Sequence, residues 1–187
     1  MPREPKTLFL MTCLLAVTMA AAAHGQSKAR APVLDAELKQ AINAMQPLTA
    51  TPPPKLTGKP LLITFFASWC PPCRPEFAEL NALRRLFPPE ILTLVAINLF
   101  EGHFEDPGGV RMKRFLGTTV PDFAVLRPRS EAEALRLFGN VDRIPTLYLY
   151  DGSGRPRHTF IHQPDAAKTH ITAAELTQPI QNVLAAP

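Results

Sequence analysis

Two nearly unbroken apolar runs, residues 61–67 and 91–99, interrupt an otherwise mixed chain. Runs of this length predict strands of a parallel sheet covered on both faces. Between them Phe77, Leu80, Leu83 and Phe87 recur at helical spacing. The three segments therefore predict a strand–helix–strand unit with a right-handed crossover. Ahead of it, Leu34, Leu38, Ile42 and Met45 share one helical face within residues 33–45. Residues 46–60, with Pro52-Pro53-Pro54, read as a linker or irregular approach. Behind the unit come a polar loop at 101–109, a short helix from about Val110 to Leu116 stopped by Gly117, and a strand over 121–126. Ser130 and Glu133 form a capping box opening a helix that stops at Gly139. Residues 146–150 and 155–162 read as a hairpin around Asp151-Gly152-Ser153-Gly154. Thr172 and Glu175 form a second capping box, with Ile171 and Leu176 as a hydrophobic staple. Leu176, Ile180 and Val183 make the last helical stripe, where Pro179 predicts a kink or a later start. The sum is an α/β fold: a central mixed sheet of four or five strands flanked by helices, with a segment inserted between the strand–helix–strand unit and the C-terminal hairpin.

The 187 residues are 46% hydrophobic and 19% charged, a globular composition sufficient for one domain with a core. Lys and Arg number 20 against 16 Asp and Glu, a net charge of +4. The basic residues are scattered and lack interleaved aromatics, which makes them solvated faces rather than a nucleic-acid surface. The first 25 residues have the pattern of a targeting segment. Arg3 and Lys6 precede an uncharged apolar stretch at 8–23, and Ala23 and Gly25 suit the small-residue sites of a cleavage after Gly25. Cleavage after Ala23 is the variant reading. The apolar stretch is shorter than the ~20 residues of a full membrane span, and an uncleaved N-terminal anchor is the alternative. The organisation expected is thus 1–25 signal peptide or anchor, 26–57 N-terminal helix and Pro-rich approach, and 58–187 the main domain, in a periplasmic or otherwise exported protein.

Of three cysteines, Cys13 falls in the targeting stretch, with Thr12 before it and most of the apolar run after it, the wrong order for a lipoprotein signal. Cys70 and Cys73 remain, in Phe65-Phe66-Ala67-Ser68-Trp69-Cys70-Pro71-Pro72-Cys73-Arg74. A bridge closing so short a loop removes little unfolded-state entropy. A zinc site wants four ligands, and no second cysteine pair exists. Redox chemistry explains the pair better. It lies where a buried strand gives way to a helix, so the first cysteine faces unpaired N–H groups and the positive end of the helix dipole, both of which favour the thiolate. Cys70 is read as the nucleophile that forms a mixed disulfide with substrate, and Cys73 as the more buried thiol that resolves it.

With these residues, over about positions 58–162, the chain resembles the TlpA/ResA-like branch of thioredoxin-fold thiol–disulfide oxidoreductases. The resemblance is carried by Gly58-Lys59-Pro60, Trp69-Cys70-Pro71-Pro72-Cys73-Arg74, Glu76, Ile144-Pro145-Thr146 and the Asp151–Gly154 turn. It implies an exported enzyme, often serving cytochrome c maturation, that acts on disulfide-containing proteins and is recharged by a membrane thiol electron donor. It implies no cofactor beyond the redox-active Cys70–Cys73 disulfide and no metal. It also implies that Pro145 is cis and packs on the cysteine pair, with the Ile144 backbone pairing an extended substrate segment. Trp69, Pro71 and Pro72 complete the substrate-binding surface. Thioredoxin's buried aspartate is replaced by Thr64, and the family's glutamate just past the next strand matches Glu101, the candidate base for Cys73. Glu76 reads as an acid favoured by the helix N-terminus. Two alternatives stand beside this reading: a periplasmic disulfide oxidant, and a copper-binding protein of the same fold drawing on His103, His158 or His162. Such copper chaperones set their cysteines one residue further apart.

Overall fold

The computed structural model describes Met1, residues 30–56 and residues 58–185. The targeting segment and Cys13 lie outside the described residues. Among those residues no helix is long and apolar enough to cross a membrane.

The first helix, α1 (Ala36–Asn43), starts where the Asp35 carboxylate accepts the Leu38 N–H at 2.9 Å, and buries Leu34, Leu38, Ile42 and Met45 as its spacing predicts. The elements that follow are β1 (Gln46–Pro47), β2 (Leu61–Phe66), α2 (Cys73–Leu86), β3 (Thr93–Asn98), α3 (Val110–Thr119), β4 (Ala124–Arg127), α4 (Glu131–Leu137), β5 (Thr146–Tyr150), β6 (Pro156–Ile161) and α5 (Ala173–Ala185). The strands form one mixed sheet in the order β1-β4-β3-β2-β5-β6. β2 is central, parallel to β3 and antiparallel to β5, and every residue of β2, β3 and β5 is buried. Alternation along β2 sends successive side chains to opposite faces. Phe66 packs on Phe77 of α2 and Phe115 of α3, while Phe65 meets Phe138, just past α4, and Tyr148. Helices therefore cover both faces, and the chain has the thioredoxin-like fold.

The sheet has six strands rather than four or five. The extra one is β1, inside the segment read as a linker, where Gln46 and Pro47 pair antiparallel with Arg127 and Leu126. The polar loop at 101–109 holds two 3-10 turns, Glu101–His103 and Pro107–Gly109. Gly117 does not stop α3. The helix runs on to Thr119 and ends at Val120, which takes a left-handed φ of 40° while its N–H donates to the Leu116 carbonyl. The Thr172–Glu175 capping box is complete, its two residues exchanging bonds, while Ser130 accepts the Glu133 N–H as the N-cap of α4. Ile171 and Leu176 are buried as a staple should be. Helix α5 nevertheless begins at Ala173 and carries Pro179 within it, so the later start is not found.

The hairpin turn holds the N-terminal segment. Asp151 accepts the Ser153 and Arg155 N–H groups, and the Gly154 carbonyl accepts the Leu34 N–H at 2.8 Å. Gly154 has φ +84°, and a Cβ there would stand 2.7 Å from the Leu34 carbonyl oxygen. Gly117 is helical and open, with nothing within 4 Å of a Cβ. Alanine at the two glycines should therefore act in opposite senses. Gly154→Ala is expected to cost about 2 kcal/mol or more through strain and displacement of Leu34, and Gly117→Ala to add about 0.5–1 kcal/mol. Urea unfolding of the two variants checks both signs.

Candidate active site

β2 ends at Phe66, and the chain turns through residues 67–72 into α2, so Cys70 precedes the helix and Cys73 is its first residue. The turn closes on its own backbone: the Cys70 N–H donates to Ala67, and the Cys73 N–H to Cys70. The two sulfurs are joined in a disulfide with Cα atoms 5.4 Å apart. Pro72 at the helix cap makes no side-chain bond to the first turn. The positive end of α2 therefore faces the sulfurs and favours a thiolate once the bridge opens. Cys70 is 3% exposed and Cys73 fully buried, so the first cysteine is recessed rather than open. Pro71 is exposed beside it, and Pro72 and Trp69 are partly exposed.

The Ile144–Pro145 bond is cis. Thr146, the next residue, pairs with Phe65 across the β2–β5 ladder, which sets the proline loop against the end of β2 where the cysteine turn begins. The Pro145 carbonyl is occupied, accepting the His162 N–H at 3.0 Å.

Behind the pair lies a buried acid. Glu76 follows Cys73 by three residues on the same helical face, and it is 1% exposed. The Thr64 hydroxyl donates to its Oε1 at 2.7 Å, while among the described residues nothing bonds its buried Oε2. Desolvation pushes its pKa up from 4.5 to about 8, against the lowering effect of the Thr64 bond. Glu76 is thus a core carboxyl and not a solvated acid at the helix end. Its register with Phe77, Leu80 and Leu83 was visible in the sequence.

Glu101 sits elsewhere in the site. Its carboxylate accepts the Ser68 N–H at 2.9 Å, the Ser68 hydroxyl and the Asn98 amide at 2.8 Å, and it stands 3.7 Å from the Arg111 guanidinium. The structure gives it these polar partners rather than Cys73, because the turn beginning at Glu101 points it back at the end of β2. Ser68, Asn98 and Arg111 carried no signal of their own in the sequence. Trp69 donates its indole N–H to the Phe100 carbonyl at 2.7 Å, stacks on His103 and meets the edge of Phe104. His158 lies in β6 and His162 just beyond it, well separated in the chain from His103. Among the described residues no group of three or more His, Cys, Asp or Glu side chains could hold a metal ion. A cavity of about 810 Å³ lies at the other end of the sheet, lined by Lys59, Asp151 and Arg155.

A disulfide at the mouth of a helix, a cis proline leading into the strand beside β2 and a buried acid on the same helix define a thioredoxin-fold protein with a two-cysteine centre. The Redoxin family profile matches residues 28–175, and the chain belongs to that family. It is similar to the thioredoxin-like protein YneN of Bacillus subtilis (strain 168), 28% identical over 97 residues, which are 52% of this chain and 53% of YneN. It is also similar to the thiol-disulfide oxidoreductase ResA of Geobacillus thermodenitrificans (strain NG80-2), 24% identical over 98 residues and 52% of each chain. The chain spans about half the length of these curated relatives. Among solved structures, a thiol-disulfide isomerase from Corynebacterium glutamicum superposes with a TM-score of 0.62 at 18% identity, over 84% of this chain and 99% of that one. StoA from Bacillus subtilis superposes with a TM-score of 0.52 at 23% identity, over 66% and 83%.

The raised pKa of Glu76 has a thermodynamic consequence. Between the unfolded value of 4.5 and the folded value of about 8, the native state holds a proton that the unfolded state has released. Stability of the oxidised protein should therefore fall as pH rises through that window, by about 4–5 kcal/mol in all from this group. Glu76→Gln keeps an acceptor for Thr64 and should remove most of the slope. Urea midpoints of both proteins from pH 4 to 9 test this; parallel curves would mean that the carboxyl titrates in water.

Proposed function

We propose that this chain is an exported thiol–disulfide oxidoreductase that reduces disulfides of protein substrates, in the role cytochrome c maturation requires. The observation that carries the reading is the pairing of a helix-mouth disulfide with a buried, proton-holding carboxyl three residues behind Cys73. The family, the YneN and ResA similarities and the targeting pattern of residues 1–25 support it.

In the reduced protein the Cys70 thiolate attacks one sulfur of a substrate disulfide. That S–S bond breaks, a Cys70–substrate bond forms, and the other substrate sulfur leaves as a thiolate. Cys73 then gives its proton to Glu76 in the molecules whose carboxyl, titrating near 8, is ionised, and attacks the Cys70 sulfur. The second substrate sulfur is released, and the protein is left with the Cys70–Cys73 disulfide, two electrons poorer. Recharging runs backwards. A thiol donor attacks Cys70, and protonated Glu76 returns its proton to the departing Cys73 sulfur. A carboxyl near pH 8 is well matched to a thiol of ~8.5, so the proton moves either way at small cost. This assigns the proton exchange to Glu76 and leaves Glu101 to hold the turn. The electron donor is a membrane thiol protein, since an exported dithiol has no cytosolic reductant at hand.

Cys73→Ser should accumulate mixed disulfides with exported proteins, visible as reducible adducts, and Cys70→Ser should give none. The reduction potential of the Cys70–Cys73 couple tests the direction of flow. A value at or below about −270 mV agrees with a reductant, whereas one near −120 mV would make the protein a disulfide donor.

A further inference from the structure

We infer that Arg111 is a positioning residue for substrate recognition: it clasps the inserted segment to the cysteine turn and so sets the surface presented by Trp69. The inference rests on the oxidoreductase reading above. Arg111 lies in the first turn of α3, 43 positions from its partner Ser68. Its own backbone is anchored, because the Asp106 carboxylate accepts the N–H groups of Arg111 at 2.8 Å and Met112 at 3.2 Å. From there the guanidinium spends its fork of donors on both sides of a seam. Nε donates to the Ser68 hydroxyl at 3.1 Å, two residues before the nucleophile. Nη2 donates to the Phe104 carbonyl at 2.8 Å and Nη1 to the Glu105 carbonyl at 3.4 Å, while Glu101 stands at 3.7 Å.

The segment gripped in this way supplies three contacts of Trp69: the Phe100 carbonyl that accepts its N–H, the His103 ring stacked on it and the Phe104 ring at its edge. Phe104 is 54% exposed although it is a large apolar ring next to the active site. Glu101 and Phe100 tie the start of this polar loop to Ser68 and Trp69, and its further course through Phe104 and Glu105, in a stretch carrying Gly102, Gly108 and Gly109, is held by Arg111. A planar fork that serves a hydroxyl, two carbonyls and a carboxylate at once is a task for arginine, and a lysine ammonium cannot span that set.

The test uses the full chain with Arg111→Gln and Arg111→Lys, and Arg114→Gln as an exposed control on the same helix. The chain has one tryptophan, so emission reports Trp69 alone. Both Arg111 variants should shift that emission to longer wavelength, and Arg114→Gln should leave it unchanged. With insulin as the disulfide probe and dithiothreitol as reductant, Arg111→Gln should raise KM about five- to tenfold and leave kcat within about twofold. The rate with oxidised glutathione, too small to span the surface, should stay at wild type. Unchanged emission and KM would overturn the inference, as would full restoration by Arg111→Lys or a parallel loss with glutathione. If wild type itself fails to reduce insulin, the oxidoreductase reading falls, and emission still decides the clasp. Should Arg111→Gln not fold, Ser68→Ala removes one partner of the same fork and is expected to give a smaller shift of the same sign; no shift would overturn the inference.

Discussion

The Thr64 hydroxyl reaches across the contact between β2 and α2 to a carboxyl oxygen of Glu76, inside a layer otherwise made of phenyl rings and leucines. A carboxylate in that place would go largely unsolvated, and one hydrogen bond does not offset the loss. The group therefore holds its proton at neutral pH, three residues along the helix from Cys73. The contact ties α2 to the central strand three residues past Cys73, alongside the packing of Phe77, Leu80 and Leu83 that seats the same helix. The acid is carried by the helix, and Thr64 of β2 is its donor.

Much of this was legible along the chain, for physical reasons particular to each element. β2, β3 and β5 are buried on both faces, so their apolar runs had no competing explanation. α1 and the capped ends of α4 and α5 were written in spacing and in Ser, Thr and Glu side chains that act locally. The misreadings have equally local causes. β1 is two residues long and includes Pro47, below the length at which any periodicity exists. Gly117 resembled a helix stop, yet the helix passes through it because the left-handed residue is Val120, a β-branched side chain that nothing in the sequence marks for that role. Glu76 was read by its charge, while its helical register with Phe77 and Leu80 pointed to the core.

The polar half of the site was legible least. Ser68, Asn98, Glu101 and Arg111 are drawn from the end of β2, the end of β3, the turn after it and the start of α3. The parallel pairing of β2 with β3, which sets Phe66 beside Asn98, brings the first three together, and Arg111 reaches them from α3. Glu101 could be found from its position after the strand, but not its partners, and it is the partners that decide whether a carboxylate accepts a proton from a thiol or holds a turn in place.

The short strand at the margin of the sheet also bears on how copies of the chain meet one another. Without β1, β4 would present an open row of backbone donors and acceptors to any passing strand. Two residues cover its end, at Leu126 and Arg127, and Pro47 brings no N–H of its own to extend the ladder outward. At the opposite margin β6 alternates exposed Arg157 and Thr159 with half-buried neighbours, and charge on a free edge discourages further pairing. Both margins of the sheet thus carry features that discourage edge-to-edge pairing with another copy of the chain.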